Sequence, residues 1–117
     1  MAGIVFLKTE NLARTLTFYT GPVRMCVWLE QSEITILRHE NLLIGFQQHS
    51  TSDIAGLVTF FYPRKLDVDA MYEALHSVAL EPPRTNNRYR IYHFFARDPD
   101  GRIIEFQQFL HDIPAWK

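Results

Sequence analysis

The residues able to do chemistry in this chain are few and scattered. Its five histidines are His39, His49, His76, His93 and His111. No two of them share the i, i+4 spacing that lets a helix face offer two imidazoles to one metal. His39 and His49 flank turns and read as solvated, while His76 sits late in a helix, where a positive charge suits the dipole. Only His93 falls in a strand near the expected cleft. Cys26 is the single cysteine, so no intramolecular disulfide or Cys-rich zinc site can be assembled. With no base recognisable beside it, Cys26 reads as a small strand or core residue rather than a nucleophile. Arg84, Arg88 and Arg90, interleaved with Tyr89 and Tyr92, have the makings of a nucleic-acid surface. A net charge of −1 favours a solvated loop and strand edge instead. There is no GxGxxG, Walker-type loop or GxSxG elbow.

The elements that must position these residues repeat. Ile4 to Lys8 alternates as a strand of period two. Asn11 then offers a helix cap, and Leu12, Leu16 and Tyr19 recur on one helical face until Gly21-Pro22 stops it. Three short β runs follow: Met25–Glu30, Ile34–His39 and Leu42–Gln48. Trp28 and Phe46, within them, serve the core or a subunit contact. After the polar connector His49–Asp53 the order returns. Leu57–Tyr62 reads as a strand, and Asp67 as the cap of a helix carrying Val68, Met71, Tyr72 and Leu75. Glu81-Pro82-Pro83 prevents its continuation. Strands Tyr89–Arg97 and Arg102–Phe109 are then joined by Asp98-Pro99-Asp100-Gly101, whose residues suit a type I turn. The chain thus reads β-α-β-β-β twice, as one α+β domain of two modules, about 1–50 and 55–110.

This doubled plan, the segment LARTLTFY (Leu12–Tyr19) and the ending ARDPDGRIIEFQQF together resemble the vicinal oxygen chelate superfamily. That group includes glyoxalase I, extradiol dioxygenases, and bleomycin- and fosfomycin-resistance proteins. The resemblance implies a curved mixed sheet around a cleft, a homodimer, and a divalent metal held by residues of the first and last strand of each module. Carried over residue by residue, Glu105 stands where the final carboxylate ligand is expected. Ile4, Gly45 and Leu57 occupy the other three positions, and none can coordinate. One carboxylate does not hold a divalent cation tightly, so no metal or other cofactor is expected.

Strand alternation then says what lines the cleft. With Glu105 inward, Ile103 and Gln107 are inward too, together with Phe6, Lys8, Gln47, Thr59 and Phe61. Counting back across a four-residue turn adds Phe94, Tyr92 and Arg90, whereas a single bulge would substitute His93. An apolar cleft with a few polar groups suits a small-molecule ligand. Within it, Glu105 can act as a general base, hold a cationic ligand group, pair with Lys8 or Arg90, or serve only as an internal hydrogen-bond acceptor.

Composition bounds the remaining readings. At 117 residues with 47% hydrophobic and 21% charged side chains, the chain is long enough to bury about two-thirds of its unfolded surface. Disorder, collagen and coiled coil are excluded. The near-zero charge gives no support to a nucleic-acid or membrane partner. No apolar run approaches the ~20 residues that cross a bilayer, and Met1-Ala2-Gly3 lacks a positive n-region, so a cytoplasmic address is expected. The leading functional expectation is metal-free binding of a small molecule, as in the bleomycin-resistance branch. The alternatives are a glyoxalase-like lyase or isomerase, or a dioxygenase-type enzyme, with a divergent metal site, and a non-catalytic interaction domain.

Overall fold

The computed structural model describes residues 2–115; Met1 of the opening tripeptide, Trp116 and Lys117 lie outside the described residues. The chain divides into two compact units, Met1–Ile54 and Ala55–Lys117. The first contains β1 (Ile4–Thr9), α1 (Leu12–Thr20), β2 (Cys26–Gln31), β3 (Ile34–His39) and β4 (Leu42–Gln48). The second contains β5 (Val58–Phe61), α2 (Lys65–Leu75), β6 (Arg84–Asn86), β7 (Ile91–Arg97) and β8 (Ile103–Phe109). Each unit folds its own four-stranded mixed sheet, ordered β1-β4-β3-β2 and β5-β8-β7-β6. The first strand of each unit lies parallel beside its last, and the other neighbours are antiparallel. The topologies are therefore the same, as the repeated sequence pattern requires.

In the first unit, Asn11 caps α1 by accepting the Arg14 N–H at 3.0 Å. Gly21 ends the helix with its N–H on the Thr17 carbonyl. Tyr19 is buried against Phe46, ring centroids 4.9 Å apart, with Leu37, Ile44 and Val23 also buried. Cys26 lies exposed on β2 rather than in the core, because β2 is an edge strand whose residues are all exposed. His39 is half-buried rather than solvated, and that burial holds its imidazole below the usual range.

Two details of the second unit correct the sequence reading. Its helix begins at Lys65 with Arg64 as the cap residue, so Asp67 sits in the first turn. There its carboxylate takes the Arg64 guanidinium at 2.7 Å, and this contact holds the Asp67 carboxyl below the usual range. Secondly, the polar triplet Arg84–Asn86 forms a strand, which sequence pattern alone leaves as loop. Three residues are too few to show alternation, and only pairing with β7 defines them.

The core of this unit is a cross-strand ladder of phenylalanines. Phe60 on β5, Phe106 on β8 and Phe94 on β7 are directly paired. Their rings stack, with centroids 5.3 and 5.2 Å apart. All three are buried beside Val68, Met71 and Leu75 of α2, and Tyr72 meets Phe94 edge-on. Burying three aromatic rings on one face locks the register, since a one-residue slip would send each ring to the opposite side.

Candidate functional site

The ladder decides which residues face the other way. On that opposite face, Thr59 pairs with Glu105 and Glu105 with Phe95. One step along, Gln107 pairs with His93, and His93 with Arg84. The hairpin joining β7 and β8 explains the parity. Arg97 and Ile103 are its last paired residues, so five residues, Asp98–Arg102, form the loop instead of four. Gly101 adopts φ of +88°, the left-handed conformation that a β-bulge at this position requires. Asp98 accepts the backbone N–H groups of Asp100 and Arg102 on Oδ1 and pairs through Oδ2 with the buried Arg102 guanidinium. This hydrogen-bonded loop supplies one extra residue and turns β7 over.

The expectation that Phe94 and Tyr92 face the cleft is therefore corrected. Phe94 belongs to the ladder under α2. Tyr92 points the same way, donating its hydroxyl to Asp69 Oδ1 of α2 at 2.5 Å, with Lys65 Nζ 4.8 Å above its ring. Burial and the neighbouring Asp69 carboxylate push the Tyr92 phenol up to about 12. His93 and Phe95 take the two places on the Glu105 face. Arg90 is a turn residue with positive φ.

Glu105, 6% exposed, has both oxygens engaged. Oε1 accepts the Thr59 hydroxyl at 2.8 Å, and Oε2 lies 2.6 Å from His93 Nδ1. A carboxylate only accepts, so His93 carries its proton on Nδ1. In the neutral ring Nε2 is then an acceptor. Thr59, Glu105 and His93 thus form a chain across three strands, ending at an imidazole that is 6% exposed. Within this unit, His93 and Thr59 rather than Arg90 are the partners of Glu105.

His93, Glu105 and Gln107 line a cavity of about 590 Å³. Its apolar wall is Phe95, Ile91, Phe109 and Leu57, and its outer edge carries Arg84, Asn86 and Tyr89. Phe61 lies one strand over and lines a smaller cavity of about 250 Å³, where it meets Phe109 edge-on. Phe6, Lys8 and Gln47 belong to the first unit, on paired β1 and β4. The Phe6 ring lies so close over Gly45 that a Cβ there would be 2.4 Å from it. Lys8 donates its backbone N–H to Asp53 Oδ2, and Gln47 is half-buried. The lining residues missed in sequence are Arg84, Asn86, Tyr89, Ile91, Phe95 and Phe109, with His93 placed only conditionally. Alternation along β8 signals Phe109 and parity across the hairpin signals Phe95, while only pairing with β7 places Arg84 and Asn86.

The donor set does not fit the divalent metal that the resemblance implies. Ile4, Gly45 and Leu57 have no donor side chain, and Glu105 and His93 are already bonded to each other. Among the described residues no three His, Cys, Asp or Glu side chains group so as to hold a metal ion. Hard divalent ions of the calcium or magnesium kind take about six oxygen-rich ligands.

No protein-family model and no curated protein matches the sequence. Solved structures do match. A glyoxalase/bleomycin resistance protein/dioxygenase family enzyme from Burkholderia phytofirmans PsJN is similar at a TM-score of 0.80 and 18% identity, covering 92% of this chain and 97% of that one. An integron cassette protein from the mobile metagenome of the Halifax Harbour sewage outfall gives 0.79 and 20%, covering 93% and 98%. Lactoylglutathione lyase from Agrobacterium tumefaciens gives 0.74 and 14%, covering 92% of each chain. With the same strand order in both units, these likenesses show that the chain has the glyoxalase/bleomycin resistance/dioxygenase fold, the architecture of the vicinal oxygen chelate superfamily.

Proposed function

We propose that this chain binds a small organic molecule on the open face of its second sheet, without a resident metal, and works as a cytoplasmic homodimer. The observation that carries the binding reading is the 590 Å³ cavity. It combines an apolar wall with a few convergent polar groups, the usual make-up of a ligand site. The metal-free part is supported by the donor set, which offers one carboxylate and one imidazole already committed to each other. The homodimer is supported by Val27, Trp28 and Leu29, three consecutive large apolar residues that are each 41–50% exposed on an edge strand. For the cytoplasmic address, the supports are a lone cysteine and, among the described residues, no helix long and apolar enough to cross a membrane.

One observation favours a second reading, proton-transfer catalysis. The Thr59–Glu105–His93 chain orients an imidazole at the cavity wall, the arrangement that fixes the tautomer of a general base. His93 would then take a proton from the bound molecule, and Glu105 would be its positioning residue.

Native mass spectrometry of protein purified without chelator tests the leading reading. The expected spectrum shows no stoichiometric nickel, zinc, iron or manganese, and shows organic adducts that Phe95→Trp, which narrows the cavity, removes. A stoichiometric metal overturns the metal-free part. Adducts that survive Phe95→Trp overturn the assignment of the cavity.

A further inference from the structure

The cavity's charged and polar groups are sorted by position, and the sorting specifies a ligand. Its only carboxylate, Glu105, is inside and has both oxygens hydrogen-bonded. Glu105 is 6% exposed and its carboxylate is held between Thr59 and His93, so little of it is open to a cationic group. The donors stand together on β6 at the outer edge. Arg84 and Asn86 are two residues apart on one strand, which places them on the same face about 7 Å apart. Asn86 Oδ1 is consumed by the backbone N–H groups of Arg88 and Tyr89, at 3.0 and 3.2 Å. Its amide nitrogen is therefore the group able to donate toward the cavity. Arg84 also pairs with Glu81 at 3.1 Å, but with 67% and 44% of the two side chains exposed. An exposed pair of this kind contributes little, so an incoming acid can take the guanidinium. Behind this edge stand His93 Nε2, an acceptor in the neutral ring, and the flat rings of Phe95 and Phe109.

We infer that the cavity takes a planar, mainly apolar organic anion, with its acidic group on Arg84 and the Asn86 amide and a hydroxyl or N–H of its body on His93. This rests on the proposed small-molecule function and narrows it to a chemical class. The sign of charge is set by the edge: one guanidinium and one amide donor face the opening, while the single acid is internally satisfied. Planarity follows from the aromatic wall, which rewards a stacked ring system. The charged end sits near solvent and the body is desolvated, so the anion keeps part of its hydration.

Isothermal titration calorimetry of the purified protein with four probes tests this class. They are naphthoate, a hydroxynaphthoate with its hydroxyl on the far ring, neutral naphthol, and naphthylmethylammonium. Naphthoate is expected to bind roughly tenfold more tightly than naphthol, and naphthylmethylammonium more weakly than either. Arg84→Gln should bring naphthoate to the affinity of naphthol while leaving naphthol unchanged. Glu81→Gln, which releases Arg84, should tighten naphthoate about twofold. The hydroxynaphthoate should gain about threefold over naphthoate, a gain that His93→Phe abolishes. If naphthol or the amine binds as tightly as naphthoate, the anion class is overturned while small-molecule binding survives. If Arg84→Gln weakens naphthol and naphthoate equally, the placement of the acid is wrong. Failure of all four probes to bind overturns both the class and the binding function beneath it.

Discussion

Glu105 illustrates how little freedom a buried carboxylate retains once its partners are placed. Thr59 and His93 each donate to one of its oxygens, and that pattern puts the proton of the neutral imidazole on Nδ1, leaving the lone pair on Nε2. Glu105→Gln replaces one acceptor by an amide donor. Thr59 can rotate its hydroxyl to accept instead, or His93 can move its proton from Nδ1 to Nε2 and accept through Nδ1. If the imidazole gives way, the cavity faces a donor where it had an acceptor. The expected result is a tautomer exchange, visible as an interchange of protonated and lone-pair shifts in the imidazole ¹⁵N spectrum. Stability should fall by only about 1–2 kcal/mol, since hydrogen bonds of similar number persist. An unchanged ¹⁵N spectrum would mean that the Thr59 hydroxyl, not the imidazole, gives way to the amide. Glu105→Leu, by contrast, leaves the Nδ1–H buried without its acceptor, a change that costs about 1–3 kcal/mol.

At the scale of elements, β7 is held against α2 through one face. Its inner face carries the phenylalanine ladder, and Tyr92 ties it to α2 through Asp69. The phenol ionises at about 12, against an ordinary value of 10.0, because burial and the Asp69 carboxylate both disfavour phenolate. A folded-state value above the unfolded one means that this contact stabilises fully below pH 10.0 and is lost as pH rises through about 12. Tyr92→Phe should therefore cost about 1–2 kcal/mol at pH 8, with the gap from wild type closing between pH 10.0 and about 12. Urea unfolding monitored across that range measures it, and a gap independent of pH would refute the attribution. The same strand shows where local sequence stops informing. Alternation along IYHFFAR states that His93 and Phe95 share a face. It does not state which face, because that depends on whether the loop before β8 counts four residues or five. Asp98-Pro99-Asp100-Gly101 reads correctly as a turn, yet Gly101 in the left-handed conformation adds the residue that reverses parity. Thr59, Glu105 and Gln107 need no such count to share a face, since their strands are parallel neighbours in register.

For the whole molecule, the duplicated β-α-β-β-β plan accounts for the fold, and the proposed homodimer accounts for surface that neither unit's own core uses. Trp28 sits at a register irregularity between Val27 and Leu29, on a strand whose residues are all exposed. Edge strands exposing such residues invite pairing or coverage. Light scattering coupled to size exclusion should give twice the 13.8 kDa chain mass, and Trp28→Lys should shift the protein toward 13.8 kDa with its helix and sheet content retained. A wild-type mass of one chain would refute the dimer. The sequence by itself determined the two modules, their helices, and the absence of donors at Ile4, Gly45 and Leu57. Periodicity, turn chemistry and side-chain identity are local properties, readable without a partner. Only the tertiary structure decided that His93 meets Glu105, that Arg84 and Asn86 form a strand, and that Phe94 lies buried. Those outcomes depend on strand pairing, where one added residue moves every side chain of a strand to the other face and three stacked rings determine which alternative prevails.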